Sequence, residues 1–129
     1  MKDRFKFLPS ELHDGTQTFE NDLPDCAEID PERTLACARQ LDEESWVWLK
    51  EQPNFLKLLR MVFPEDKFPN TEKQPLAQLG VGMLHTIGLI LLTLDARRTG
   101  GKVLWRFPES YLHPAQQVGL GDLIVALTR

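Results

Sequence analysis

The sequence predicts an α+β protein that is mainly helical, with about four helices around a central apolar helix (residues 76–98) and a small antiparallel β element near the C-terminus. Three observations predict this fold class. Apolar residues recur at helical spacing from residue 30 onward, prolines and acidic residues stand where helices would begin, and β-branched and aromatic residues gather after residue 102. With 129 residues, 42% of them hydrophobic, the chain has the composition of one folded domain.

Local signals mark the starts of three helices. Asp30 can accept hydrogen bonds from the free N–H groups of a helix opened by Pro31, where a missing N–H costs nothing. Asp42 can cap a second helix in the same way, and a third is predicted to run from Pro53 to Pro64. Apolar residues at helical spacing follow each start, so each helix has a face to bury.

The segment from Leu76 to Leu94 is the most apolar part of the chain, and a membrane span is the alternative to a core helix. Polar or small residues interrupt it and fall in one stripe on a helix; they are Gln78, Gly82, His85, Thr86 and Thr93. We therefore predict a core helix that is exposed along this stripe, and no membrane span.

The β element is predicted from short apolar runs near the C-terminus. Val103–Phe107 has the β-branched and aromatic content of a strand. Leu123–Leu127 fits either a strand or a helix, and Gly119 and Gly121 just before it favour a strand. Phe5–Leu8 is a third candidate strand.

An excess of acidic residues distinguishes the N-terminal part of the chain. Residues 1–29 lack a helical period and are predicted to form an irregular acidic segment, ahead of a helical core with C-terminal strands over residues 30–129. The net charge of −4 hides a polarised distribution, because residues 1–72 hold 9 basic and 16 acidic residues, and residues 73–129 hold 6 and 3. We call residues Glu11–Glu32 the acidic stretch; it holds Glu11, Asp14, Glu20, Asp22, Asp25, Glu28, Asp30 and Glu32, with no Lys or Arg.

The leading hypothesis is a non-enzymatic protein-binding domain, of the inhibitor, immunity-protein or accessory-subunit type, that engages a basic partner. A surface of one sign attracts partners of the opposite sign. Trp46 and Trp48 are two residues apart on a helix, so they point to different faces, and Trp48 is predicted as an interface anchor. The predicted partner-binding residues are Glu20, Asp22, Asp25, Glu28, Asp30, Glu32 and Trp48.

Two other functions remain as alternatives. A basic cluster (Arg97, Arg98, Lys102 and Arg106) could contact phosphates in a small nucleic-acid-associated regulator, although the acidic total disfavours duplex binding. An enzyme could instead use His85 or His113 with a carboxylate, but we predict no enzymatic activity and assign no catalytic residue.

No cofactor and no metal site is predicted. The three histidines are far apart in sequence, and Cys26 and Cys37 do not have the spacing of a ligand pair. Two cysteines are too few for a disulfide framework, and Met1–Ser10 lacks the pattern of a secretory leader. We therefore expect free thiols and a cytoplasmic location.

Overall fold

The computed structural model describes residues 26–66, 73–98 and 102–128 of the chain. In chain order these form β1 (Cys26–Ile29), α1 (Pro31–Arg39), α2 (Glu43–Lys50), α3 (Pro53–Val62), a 3-10 turn (Leu76–Gln78), α4 (Val81–Arg98), β2 (Lys102–Trp105) and α5 (Pro114–Leu127). The prediction of a mainly helical protein with a small β element is confirmed, with five helices among the described residues.

The predicted helix starts are confirmed in atomic detail. The Asp30 carboxylate accepts a hydrogen bond from the Arg33 N–H at 2.8 Å, and the Asp42 carboxylate accepts one from the Ser45 N–H at 2.7 Å. Prolines occupy the first turn of α1, α3 and α5. Capping side chains and prolines therefore set these boundaries, as local helix chemistry predicts.

The predicted antiparallel arrangement is wrong, because β1 and β2 pair as parallel strands, with Cys26 opposite Lys102 and Ile29 opposite Trp105. The prediction that the chain is irregular up to Ile29 is likewise wrong for residues 26–29. Antiparallel neighbours can be joined by a tight turn, whereas parallel strands need a long crossover connection. Here α1 to α4 all lie between the two strands in sequence.

The run Leu123–Leu127 belongs to α5 and is not a strand. Leu120, Leu123 and Leu127 recur at helical spacing and are buried together. Gly119 lies inside the helix rather than in a turn. The third candidate strand, Phe5–Leu8, lies outside the described residues.

Helix α4 is the centre of the fold, and the predicted exposed stripe is wrong over most of its length, although Gln78 before the helix is exposed. It packs against α1, α3 and both strands, which covers it on several sides. His85, Thr86 and Thr93 are all buried, as is Asp95. The predicted helix also breaks near its start, since the 3-10 turn ends before the helix begins at Val81. Among the described residues, no helix has both the length and the apolar character needed to cross a bilayer.

Two glycines allow helices to approach each other closely. A Cβ atom at Gly88 of α4 would overlap the Thr34 carbonyl oxygen of α1, and one at Gly119 of α5 would overlap the Met61 carbonyl oxygen of α3. By contrast, a Cβ atom at Gly121 would meet nothing within 4 Å. The absence of a side chain at Gly88 and Gly119 therefore permits the close α1–α4 and α3–α5 contacts.

Candidate functional site

The outer side of α2 carries a one-signed surface that we call the acidic α2 face (Glu43, Glu44, Val47 and Glu51). All four residues are exposed, and Val47 lies three or four positions from each of the three glutamates, which places them around it on the helix surface. Val47 lies between the carboxylates with 49% of its surface exposed. The Glu43 carboxylate also accepts a hydrogen bond from the Ala77 N–H at 3.3 Å. The face thus combines an apolar centre with three carboxylates.

The opposite side of α2 explains this orientation. Trp46 is 0% exposed, and its indole N–H donates to the Gln74 carbonyl at 2.9 Å. Its ring meets the Phe55 ring edge-on, with 6.4 Å between centroids. The Lys50 ammonium lies 5.3 Å from the Trp46 ring centroid. Lys50 therefore lies against the buried side of α2, as a cation packed on the Trp46 ring.

Trp48, the predicted anchor, lies at the border of this face. Trp48 is half-buried, whereas Trp46 is fully buried. The difference is expected because residues two positions apart lie on different sides of a helix. On sequence alone, Glu43 and Glu44 are interpreted as helix-start carboxylates that favour the positive end of the helix dipole. Because Trp46 is buried, Glu43 and Glu44 share an outward face with Val47 and Glu51. The helical spacing of these residues in the sequence could have indicated this face.

One residue of the acidic stretch meets the basic cluster directly. The Glu28 carboxylate accepts hydrogen bonds from Arg106 Nε at 3.0 Å and from Arg106 Nη2 at 3.3 Å. The Arg106 N–H also donates to the Ile29 carbonyl at 2.9 Å, which extends the strand pairing. Both side chains of the ion pair are about half exposed, so the pair adds little stability.

The remaining predicted partner-binding residues fall into three groups. Asp30 is engaged as the cap of α1. Glu32, in the first turn of α1, is exposed. Glu20, Asp22 and Asp25 lie outside the described residues. Of the described residues of the acidic stretch, Glu28 and Asp30 therefore make intramolecular contacts and Glu32 is exposed to solvent.

The basic cluster is divided between the two sides of the small sheet. Lys102 is exposed, and burial alternates along β2, so that Val103 and Trp105 are directed inward. Arg97 lines a groove together with Val103 and Trp105, on the inward side. Arg106 is held by Glu28, and the Arg98 side chain lies outside the described part of the chain.

His85 is fully buried and both of its ring nitrogens have partners. Its Nε2 lies 2.8 Å from the Pro108 carbonyl oxygen, which can only accept, so Nε2 carries a proton. Its Nδ1 lies 2.6 Å from the Thr34 hydroxyl, and the Tyr111 ring packs edge-on at 5.8 Å. Burial lowers the pKa of His85, although the bond to Pro108 and the charge of Glu109 act in the opposite direction. The neutral ring therefore ties α1 and the β2–α5 loop to α4.

The other candidate groups for chemistry are also placed. Cys37 is a free cysteine, buried in α1, and burial raises the pKa of its thiol to about 12. A protonated, inaccessible thiol is a poor nucleophile. His113 is exposed at the start of α5, and its backbone N–H donates to the Gln116 side-chain oxygen at 2.9 Å. Among the described residues, no base or nucleophile is hydrogen-bonded to the Cys37 thiol or to the His113 side chain.

Within residues 26–66, 73–98 and 102–128, no three His, Cys, Asp or Glu side chains come together in a way that could hold a metal ion. Comparison with protein-family models, with curated proteins and with solved structures gives no match to this chain.

Proposed function

We propose that the chain is a non-enzymatic protein-binding domain that engages a partner with a basic surface. The observation that supports this most is the acidic α2 face, in which three exposed carboxylates surround the exposed side chain of Val47. Interfaces commonly combine an apolar centre with a charged rim, and the rim charges guide association. Glu32, which is exposed, stays a predicted partner-binding residue together with Glu20, Asp22 and Asp25.

Not all residues of the acidic stretch are equally suited to this role. Glu28 and Asp30 already make intramolecular hydrogen bonds, to Arg106 and to the start of α1. Replacing Asp30 would remove the cap of α1 as well as a surface charge, and Glu28 is already paired with Arg106. We therefore assign Glu43, Glu44 and Glu51 to the binding surface instead of Glu28 and Asp30. Val47 and the half-buried Trp48 belong to the same surface.

The test is affinity capture from native lysate with the full chain and two charge-altered baits. In the first bait, Glu43→Gln, Glu44→Gln and Glu51→Gln neutralise the acidic α2 face. We expect a basic protein to be captured by the wild-type chain at low salt, lost at high salt and depleted on this bait, since screening weakens exposed charge interactions.

A matched control bait removes the same number of exposed carboxylates elsewhere, with Glu65→Gln, Glu109→Gln and Asp122→Asn. It should retain the partner, because these residues do not belong to the acidic α2 face. Equal loss of the partner from both baits would show that total charge, rather than this face, attracts the partner. Full retention by the α2 bait would show that the face does not bind it. Either result would contradict the proposal.

A further inference from the structure

Helix α5 carries apolar side chains on two opposite sides. Leu120, Leu123 and Leu127 are buried against the rest of the fold. On the outward side, Val118 is 77% exposed and Val125 is 50% exposed, and their spacing of seven positions places them in line along the helix. Helices that are apolar on every side are normally buried on every side, and exposed apolar patches mark interaction sites. The outward side of α5 therefore has the character of an interaction surface.

A groove runs beside these valines, between α3 and α5, with a volume of about 410 Å³. Its described lining includes Lys57, Leu58 and Met61 of α3 and Asp122, Val125 and Ala126 of α5. We call this groove, together with Val118, the α3–α5 face. Leu58 and Met61 are partly exposed, so the groove offers apolar surface that a second molecule can cover.

The charges on the α3–α5 face are balanced, unlike those on the acidic α2 face. Among the described residues that line the groove, the cation is Lys57 on α3 and the anion is Asp122 on α5. Both residues are exposed. A one-signed surface selects a partner of the opposite sign, whereas a surface that carries one charge of each sign on its two walls complements a copy of itself.

We propose that the α3–α5 face joins two copies of this chain in a symmetric dimer. A two-fold axis through the groove turns α3 of one copy towards α5 of the other. Lys57 of each copy then faces the partner's Asp122, so the ion pair forms twice, and the valines of α5 cover the apolar lining of the other groove. This arrangement has an apolar centre with charges at the rim, as interfaces commonly do.

The dimer does not depend on the proposed function. No residue of the acidic α2 face is among the described residues that line the groove. Both surfaces can therefore be occupied at once, and a dimer presents the acidic α2 face twice. The capture control includes Asp122→Asn, which weakens the dimer but leaves the acidic α2 face intact, so that bait should still retain the basic partner.

Sedimentation equilibrium of the full chain tests the proposal. As the protein concentration rises to about 0.5 mM, the average mass should increase from that of one chain towards that of two. Val118→Asp places a carboxylate in the apolar centre and should abolish the dimer. Phe107→Asp is the matched control, because Phe107 is 64% exposed and lies outside the α3–α5 face. Far-UV circular dichroism confirms that both variants are folded when compared.

Charge reversal tests the arrangement of the two copies. Lys57→Glu and Asp122→Lys each place like charges opposite one another and should raise the dissociation constant of the dimer at least about 10-fold. The double variant restores the ion pair with its signs exchanged and should recover most of the affinity. Lys73→Glu and Glu109→Lys make the same reversals at exposed positions outside the face and should leave the dimer unchanged.

Three results would overturn the proposal. A chain that stays monomeric up to about 0.5 mM would leave the α3–α5 face to a different protein or to residues outside those described. A dimer that withstands Val118→Asp would use another surface. A double variant no stronger than the two single reversals would show that Lys57 and the partner's Asp122 do not face each other.

Discussion

The α1–α4 contact and the acidic α2 face are organised in opposite ways. At the α1–α4 contact, the backbone of α1 lies against Gly88, and the Thr34 hydroxyl and His85 are buried and hydrogen-bonded. On the acidic α2 face, charged side chains surround Val47 in contact with solvent. The first region combines close packing with polar groups that have partners, whereas the second gathers like charges at the surface.

This difference indicates where substitutions should act. Packing interiors tolerate little added volume, and buried polar groups are costly when a partner is removed. Exposed charges away from such features change stability by small amounts, but they govern encounter with a charged partner. Changes at the α1–α4 contact should therefore destabilise the protein, and changes on the acidic α2 face should alter binding with little effect on stability.

The largest effect is expected for Gly88→Ala. The added methyl group overlaps the backbone carbonyl of Thr34, so α1 and α4 must separate, at a cost of about 2–3 kcal/mol or more in the free energy of unfolding. Urea denaturation measures this loss. The control is Gly121→Ala, also in a helix but with open space around it, which should stabilise the protein by up to ~1 kcal/mol. Equal changes in the free energy of unfolding of the two variants would refute the close contact between α1 and α4.

The next largest effect is expected for Thr34→Val, which keeps the size of the side chain but removes the hydroxyl. His85 Nδ1 then loses its partner in a buried site, and the expected cost is about 1–3 kcal/mol. Thr128→Val serves as the control, because its hydroxyl bonds to the Val125 carbonyl at an exposed position. Urea midpoints that fall equally for both variants would contradict a special role for the buried hydroxyl.

A smaller effect is expected when the pH is lowered. Burial lowers the pKa of His85 in the folded protein, whereas the unfolded chain keeps the ordinary value near 6.5. Below about pH 6.5 the unfolded state therefore binds a proton that the folded state does not, and stability falls with pH until the folded pKa is reached. Between pH 7.5 and 5.5 we therefore expect the free energy of unfolding, measured by urea denaturation, to fall. His113→Gln should show the same loss, and a gain in stability on acidification would contradict the assignment.

The smallest effect on stability is expected on the acidic α2 face. The triple variant Glu43→Gln, Glu44→Gln and Glu51→Gln should change the free energy of unfolding by no more than about 0.5 kcal/mol. Thermal unfolding followed by circular dichroism provides the measurement. A large loss would mean that these carboxylates support the fold, and the contrast between the two regions would fail.

Sequence patterns predicted the features that depend on neighbouring residues. The caps at Asp30 and Asp42, the helix starts at prolines and the strand after residue 102 all follow from local chemistry. The parallel pairing of β1 with β2 depends on which way the chain returns after four helices, and no local pattern encodes that. The burial of His85 likewise depends on α1 and the Pro108 loop, which lie far from it in sequence.

The candidate site was predictable to a similar extent. Spacing showed that Trp46 and Trp48 point to different faces, but only the packing of Trp46 on Phe55 decides which side of α2 remains outside. The ion pair between Glu28 and Arg106 joins residues 78 positions apart, so it could not be read from either segment alone.

The most direct test is the rate at which the chain associates with the basic protein recovered by capture, measured by stopped flow at low and high salt. If the acidic α2 face guides encounter, neutralising Glu43, Glu44 and Glu51 should slow association about 10-fold at low salt and flatten its salt dependence, while the control with Glu65, Glu109 and Asp122 neutralised should match the wild type. Coincident rates for the wild-type chain and the α2 variant would contradict the account.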